Sequence, residues 1–467
     1  MNDRPSKIEK LPDEVLIEIF DCHRLAALED ASSGPWKWHR LAHVCQRWRS
    51  LVFASPRRLE LRLVYTYKNP VRKTLDFWPD LPIAISFPIV SRRLAPEDEN
   101  NVIVALKHSE RICELDLTIA KALWSKSDVS MRAPFPALEH LRLRSQDKIR
   151  QLVLPEQFLG GSTPRLRDIH LTSIAFPTLP MHLLSAEALV SLQLEDIPST
   201  GYFSPEQFAN GLSVTTRLEI LKIHFLPPNS HERNMDALPQ SRVILSVLTE
   251  LEFKGNSEYI EDLVSRIDAP ALEQLNLVFF EQLTFGIPRL SRFIHRTKEL
   301  RSPCHASILL SEEEITITHH SQCRSSDSGK FYLQISCDEL ERLLPLLIHV
   351  SRQLSDLLSS VERLSIEGFI LLSSWLEREE MDPTQWLEFF RPFRGVKRFD
   401  VTGALIQSIA SALERTTGEM ARIVLPALRD LHLIDYQTPT AIEPFIDARQ
   451  RYGRPVSVHV GEGSEED

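Results

Sequence analysis

The chain has 467 residues, 43% of them hydrophobic and 25% charged, with a formal net charge of −10. That length predicts two or more structural units or one repeat array, and the composition excludes wholesale disorder, a collagen-like chain and a membrane-embedded one. The acidic balance argues against general nucleic-acid binding, and 30 Pro against only 15 Gly argues against the glycine-rich loops of nucleotide-dependent enzymes.

The N-terminus, Met1 to Lys7, lacks the apolar core of a signal peptide. No stretch reaches the ~18 apolar residues of a bilayer span; Leu343 to Val350 is short and contains Pro345. Six cysteines, Cys22, Cys45, Cys113, Cys304, Cys323 and Cys337, form no CxxC pair and read as thiols of a reducing compartment. Cytoplasm or nucleus is the expected location.

Residues Leu11 to Phe20 predict a short helix. Pro12 suits a first turn, Asp13 and Glu14 complement the positive end of the helix dipole, and Val15, Leu16, Ile19 and Phe20 recur at helical spacing. His39 to Ala54 predicts a second amphipathic helix, with Leu41, Val44, Cys45, Trp48, Leu51 and Val52 on one side, stopped by Ser55-Pro56. Each large apolar side chain left in water forfeits roughly 1.5–3 kcal/mol of burial, so both faces need a partner.

Leu11-Pro12-x-Glu14-Val15-Leu16-x-x-Ile19-Phe20, followed by His43-Val44-Cys45-Gln46-Arg47-Trp48-Arg49-x-Leu51, resembles an F-box. It departs from the commonest form by an insertion around Ala26 to Lys37. The resemblance implies a small helical module docking on the Skp-type adaptor of a cullin-based SCF ubiquitin ligase. It assigns adaptor binding to Leu11, Pro12, Val15, Leu16, Ile19, Phe20, Val44, Cys45, Trp48 and Leu51, with Leu16 and Trp48 as the main anchors.

From residue 112 a pattern of apolar-x-x-apolar-x-apolar recurs. It begins with Ile112/Leu115/Leu117, Leu138/Leu141/Leu143, Leu166/Ile169/Leu171 and Leu189/Leu192/Leu194. Next come Leu218/Leu221/Ile223, Leu248/Leu251/Phe253 and Leu272/Leu275/Leu277, at intervals of 23 to 30 residues, near the spacing of leucine-rich repeats. Later copies are Val361/Leu364/Ile366, Val396/Phe399/Val401 and Leu428/Leu431/Leu433. Each copy predicts a short strand whose last two apolar positions point inward, and stacked copies form a parallel sheet over one core.

Arg58 to Leu63 predicts a leading strand. Ser204-Pro205-Glu206-Gln207 and Asp382-Pro383-Thr384-Gln385 predict capped helix starts. Pro136, Pro164, Pro270 and Pro426 stand two residues before the first apolar position of their copies and predict an extended entry into each strand. Glu314 to Thr318 and Phe331 to Ile335 alternate around a polar segment, the pattern of an inserted β-hairpin.

The fold class expected is therefore α/β: a small N-terminal helical F-box followed by an irregular leucine-rich-repeat-like solenoid with parallel strands. The domains expected are an F-box at 1–57, a connecting segment with the first strand at 58–110, a solenoid at 111–460 with a hairpin near 307–337, and an acidic tail at 461–467. End to end the chain resembles a large fungal family of F-box proteins with irregular leucine-rich-repeat-like regions. Phe53 to Leu61, Trp78 to Ile83 and Trp386 to Phe393 carry that further likeness.

No P-loop, GxGxxG, GxSxG, HExxH or EF-hand pattern is present, and no catalytic residue, cofactor or metal is expected. His319-His320-x-x-Cys323 lacks the second Cys/His pair of a zinc site. Between Arg40 and Lys73 nine Arg or Lys face a single acid, Glu60; this segment reads as flanking a protein interface, with RNA contact as the alternative. The residues between the second and third apolar positions, Arg142, His170, Gln193, Lys222, Glu252, Asn276, Ser365, Asp400 and His432, are expected on a concave ligand face. Their mixed signs name no ligand class. The function expected is that of a non-catalytic substrate receptor, the F-box on the adaptor and through it a cullin, the repeats on a target protein. The alternative is a scaffold outside any ligase.

Overall fold

In a computed structural model of the chain, the structure describes residues 7–29, 38–66, 71, 75–76, 78, 80–87, 95–146, 152–227, 242–280, 285–311, 313–320, 329–337, 340–368, 383–403, 405–415, 423–434 and 442–461. The chain divides into two compact units, 1–150 with 155–166, and 151–154 with 167–467. The first unit thus joins the N-terminal helices to the first strands.

In that unit the N-terminal helices are Asp13–Glu29, His39–Ala42 and Gln46–Ala54. The expected single helix from His39 to Ala54 is broken at Cys45, whose extended backbone makes it the N-cap of the third helix; its sulfur accepts from the Trp48 N–H at 3.4 Å. Strands β1 (Leu63–Tyr65), β2 (Ile83–Phe87), β3 (Ile112–Ile119) and β4 (His140–Ser145) follow, in that spatial order and all parallel. The leading strand lies later than expected, because residues 56–60 form turns that place Leu59 and Leu61 in the core.

The second unit contains β5 (Leu152–Val153), β6 (Asp168–Thr172), β7 (Ile174–Ala175), β8 (Ser191–Ile197), β9 (Ile220–Phe225), β10 (Val243–Ile244), β11 (Glu250–Gly255), β12 (Ile267–Asp268) and β13 (Gln274–Phe279). It continues through β14 (His305–Leu310), β15 (Glu314–His320), β16 (Lys330–Ser336), β17 (Arg363–Gly368), β18 (Arg398–Gly403), β19 (Asp430–Ile434) and β20 (Ser457–Gly461). Its large sheet runs β6-β8-β9-β11-β13-β16-β15-β14-β17-β18-β19-β20, while β5 pairs with β7 and β10 with β12.

The repeat pattern explains the register. Leu192, Leu221, Leu251, Leu275 and Phe331 are partners in successive strands, as are Leu194, Ile223, Phe253, Leu277 and Leu333, and all are buried. Two inward positions per strand at a spacing of two residues give a continuous double row of core side chains. Parallel order is interrupted at β15, which runs antiparallel to both β14 and β16, while β16 joins β13 and β14 joins β17 in parallel.

The prolines act differently from the expectation. In the repeats that carry these prolines the first apolar N–H donates to the carbonyl three residues back: Leu138 to Phe135, Leu166 to Thr163, Leu272 to Ala269 and Leu428 to Leu425. Pro136, Pro164, Pro270 and Pro426 therefore occupy the second position of a β-turn, where a fixed φ near −65° is favourable. They turn the chain into the strand rather than extending it. The capped start at Ser204 is present, with Ser204 Oγ accepting from Gln207 N at 3.2 Å ahead of helix Pro205–Leu212. Asp382 lies outside the described residues.

Cys22, Cys45, Cys113 and Cys337 are outside any disulfide, but Cys304 is disulfide-bonded, so the expectation of thiols throughout does not hold; the scattered spacing of the cysteines carries no signal of that bond. Among the described residues, no helix is long and apolar enough to cross a membrane.

Candidate docking surface

The helix Asp13–Glu29 divides its apolar residues between two faces. Leu16 (0% exposed) and Phe20 (1%) are one turn apart and lie in the core. Val15 (40%) and Ile19 (46%), also one turn apart, face outward, with Cys22 and Ala26 continuing the exposed line. Beyond the helix Val44 is 58% exposed.

The predicted adaptor residues therefore separate. Val15, Ile19, Val44, Pro12 and Cys45 are exposed; Leu11, Trp48 and Leu51 are half-buried. Leu16 and Phe20 face inward, so the expectation that Leu16 is a contact anchor is corrected: it holds the helix in place. The single-face reading failed because positions 15 and 16 are about 100° apart on a helix, and one apolar stripe spans both roles. Trp48 is shared between roles, since its ring meets the Phe20 ring at 4.7 Å while part of it reaches solvent.

Charged residues lock this frame. Arg47 donates through Nε and Nη2 to Asp13 Oδ1 (2.9 and 2.6 Å) and through Nη2 to the Leu11 carbonyl (2.6 Å). It thereby ties the third helix to the start of the first, a role the amphipathic pattern did not single out. Arg58 pairs with Glu18, Arg24 with Asp21 and Glu60, and Arg49 Nε donates to the Ala42 carbonyl. Trp38 is buried, stacks edge-on with Phe53 and Trp78, and donates Nε1–H to the Arg62 carbonyl at 2.7 Å.

The basic segment is accordingly less positive than its composition. Arg47, Arg58 and Arg62 have carboxylate partners in Asp13, Glu18 and Glu114. Arg40 and Arg57 are exposed, and Lys68, Arg72 and Lys73 lie outside the described residues.

Residues 8–57 match the family model described as F-box-like. The chain carries an F-box-like domain. No curated protein matches the chain. Among solved structures it is similar to the leucine-rich repeat-containing protein LegL7 from Legionella pneumophila, at 10% identity and a TM-score of 0.26, with 85% of this chain and 99% of that chain covered. The α/β class itself rests on the strand register given above, with a helical F-box-like domain ahead of a large, mainly parallel sheet.

Within the second unit the expected ligand-face residues share one register row on the polar side of its sheet. In the second unit His170, Gln193, Lys222, Glu252 and Asn276 are successive partners, and Ser365, Asp400 and His432 continue the row on β17 to β19. In the first unit Arg142 stands beside Asp116. Much of the charge is compensated internally. Lys222 Nζ lies 2.6 Å from Glu250 and 3.1 Å from Glu252, and His170 lies 3.1 Å from Glu195. The His224 hydrogen bond, with help from Lys222, pulls the Glu252 carboxyl down to about 2.

His319 and His320 occupy adjacent strand positions and so point to opposite faces. His319 is buried against the Phe331 ring at 4.5 Å, and burial pushes its imidazole down to about 3; His320 is exposed. That geometry separates them as ligands for one ion. Cys323 lies outside the described residues, among which no cluster of three or more His, Cys, Asp or Glu is placed to hold a metal.

Proposed function

We propose that this protein is the non-catalytic substrate-recognition subunit of an SCF-type ubiquitin ligase. In this reading residues 1–57 dock on a Skp-type adaptor and through it on a cullin scaffold. Residues 58–110 connect, and 111–460 hold a target protein. Holding the target raises the effective concentration of its lysines near the conjugating enzyme, which performs the chemistry. The F-box-like match at 8–57 carries the reading.

The surface supports it physically. Val15 and Ile19 form an exposed apolar line on a helix whose opposite side is already anchored by Leu16 and Phe20, and such a line marks an interaction site. The adaptor-facing set we propose is Val15, Ile19 and Val44, flanked by Leu11, Pro12, Cys45, Trp48 and Leu51. The finer likeness to fungal F-box proteins with irregular repeats agrees with the uneven repeat intervals. The scaffold alternative keeps the same surfaces without a cullin. RNA contact through 40–73 is disfavoured by the carboxylates that pair with Arg47, Arg58 and Arg62.

Affinity purification of the full chain from cells with a blocked proteasome tests the reading. Recovery of the adaptor, a cullin and ubiquitin conjugates is expected. Recovery of the adaptor with no cullin or conjugates would favour the scaffold, and absence of adaptor, cullin and conjugates alike would overturn the ligase reading and leave the scaffold.

A further inference from the structure

The large sheet of the second unit ends on β20, whose pairing among the described residues is with β19 alone, parallel and in continuous register. Natural edge strands are blunted by Lys, Pro or a bulge. Ser457-Val458-His459-Val460-Gly461 carries none of these. The edge is open to solvent, because Ser457, His459 and Gly461 are exposed and Val460 is 50% exposed.

Backbone geometry settles which groups face outward. Ser457 N donates to the Arg429 carbonyl at 2.8 Å. The N–H and C=O of one strand residue turn to the same side, and those of the next residue to the other. Ser457, His459 and Gly461 therefore bond to β19, while Val458 and Val460 turn their backbone groups away from it. These two valines lie symmetrically about His459. Their side chains continue the core rows of β19 as the partners of Leu431 and Leu433, which are each 1% exposed. Val460 thus leaves the end of an apolar row in water.

We propose that β20 pairs antiparallel with the β20 of a second copy of this chain, about a two-fold axis at His459, so that two sheets join edge to edge. Such an isologous contact must be self-complementary, and this segment is. Val458 stands opposite the partner subunit's Val460, and each such pair exchanges N–H to C=O bonds. Every backbone group that β20 turns outward is then paired, and the valines cover one another. On the polar face His459 meets the partner subunit's His459, extending the stack that it makes with His432 at 4.5 Å. The small Ser457 stands opposite the partner subunit's Gly461 and leaves those rings room.

Charge selects the same orientation. Arg451 and Arg454, both exposed, precede β20, and Arg454 also donates to the Pro426 carbonyl at 3.1 Å. Glu462, Glu465, Glu466 and Asp467 follow it. An antiparallel mate directs the acids after one strand toward the bases before the other, whereas a parallel mate sets like charges side by side. No residue of the adaptor-facing set takes part, so this pairing goes beyond the proposed function and does not depend on it.

Sedimentation equilibrium of the full chain without adaptor is the test. A reversible dimer is expected at about 50 µM chain, since so short an interface gives modest affinity. Val460→Pro removes an N–H that is turned away from β19, a change that an edge strand tolerates. It is expected to leave the thermal melt unchanged and to weaken the dimer about tenfold or more. Under mild oxidation His459→Cys is expected to link two copies at position 459, because directly opposed residues of a non-hydrogen-bonded pair have Cα atoms ~4.5 Å apart. Ser457→Cys, placed opposite glycine, is expected not to link at 457. Peptide mapping reads the link, and it carries the test if Val460→Pro unfolds. A monomeric native chain at that concentration, a folded Val460→Pro chain that dimerises as tightly as the native one, or linking at 457 as strong as at 459 each overturns the proposal. Any of these results leaves adaptor docking standing, because no adaptor is in the assay.

Discussion

Replacing Val15 and Ile19 together by Ala separates docking from folding. The two side chains are 40% and 46% exposed, so an adaptor that covers them removes from water nearly one full aliphatic side chain. At roughly 1.5–3 kcal/mol for a fully buried aliphatic side chain, less the part retained by alanine, the double variant forfeits about 1–2 kcal/mol of binding. That corresponds to adaptor affinity weaker by about five- to thirtyfold. Folding stability should move much less than binding. Leu16→Ala behaves oppositely: a fully buried leucine is lost, at a cost of about 2–5 kcal/mol of stability, a large share of a typical total. Calorimetric titration with purified adaptor and urea denaturation of the same proteins read the two effects. The reasoning is refuted if Val15→Ala, Ile19→Ala leaves adaptor affinity unchanged, or if Leu16→Ala weakens binding with full stability retained.

Two further outcomes follow from the second unit. Gly211→Ala adds a Cβ that meets the Pro180 carbonyl oxygen at 2.5 Å, forcing the helix Pro205–Leu212 away from Leu179–Leu183 at a cost of about 1–3 kcal/mol; an unchanged urea midpoint contradicts this contact. Glu252 is held at about 2, chiefly by the His224 hydrogen bond, below its ordinary value. Its stabilising contribution is therefore complete above the unfolded carboxyl value and is lost as pH falls toward 2. Glu252→Gln should flatten the loss of stability between about pH 5 and about pH 2, measured by denaturation at each pH, and an unaltered acid slope counts against the pairing.

The repeat strands were legible because period and burial coincide: Leu192, Leu221, Leu251 and Leu275 each mark a strand, and their register follows from the spacing of inward positions. The F-box-like domain was legible from the Leu11-Pro12 start and the Val44-Cys45-x-x-Trp48-Arg49 centre. What escaped the pattern depends on geometry that sequence spacing does not encode. Leu16 and Val15 are both apolar, and only the packing of Phe20 on Trp48 decides which faces inward. Lys330, His320, His305, Arg363 and Arg398 share one register level although they are scattered in sequence, because β16, β15 and β14 lie in reversed order. The prolines mark the entry to their strands in the sequence, but the β-turns they occupy there, in place of the expected extended entry, depend on hydrogen bonds such as Leu272 N to Ala269 O.

Co-elution of the purified full chain with a Skp-type adaptor in size-exclusion chromatography tests the central claim most directly. A stoichiometric complex with the native chain, weakened in Val15→Ala, Ile19→Ala, is the result this account predicts. A folded native chain that elutes apart from the adaptor at micromolar concentration contradicts it.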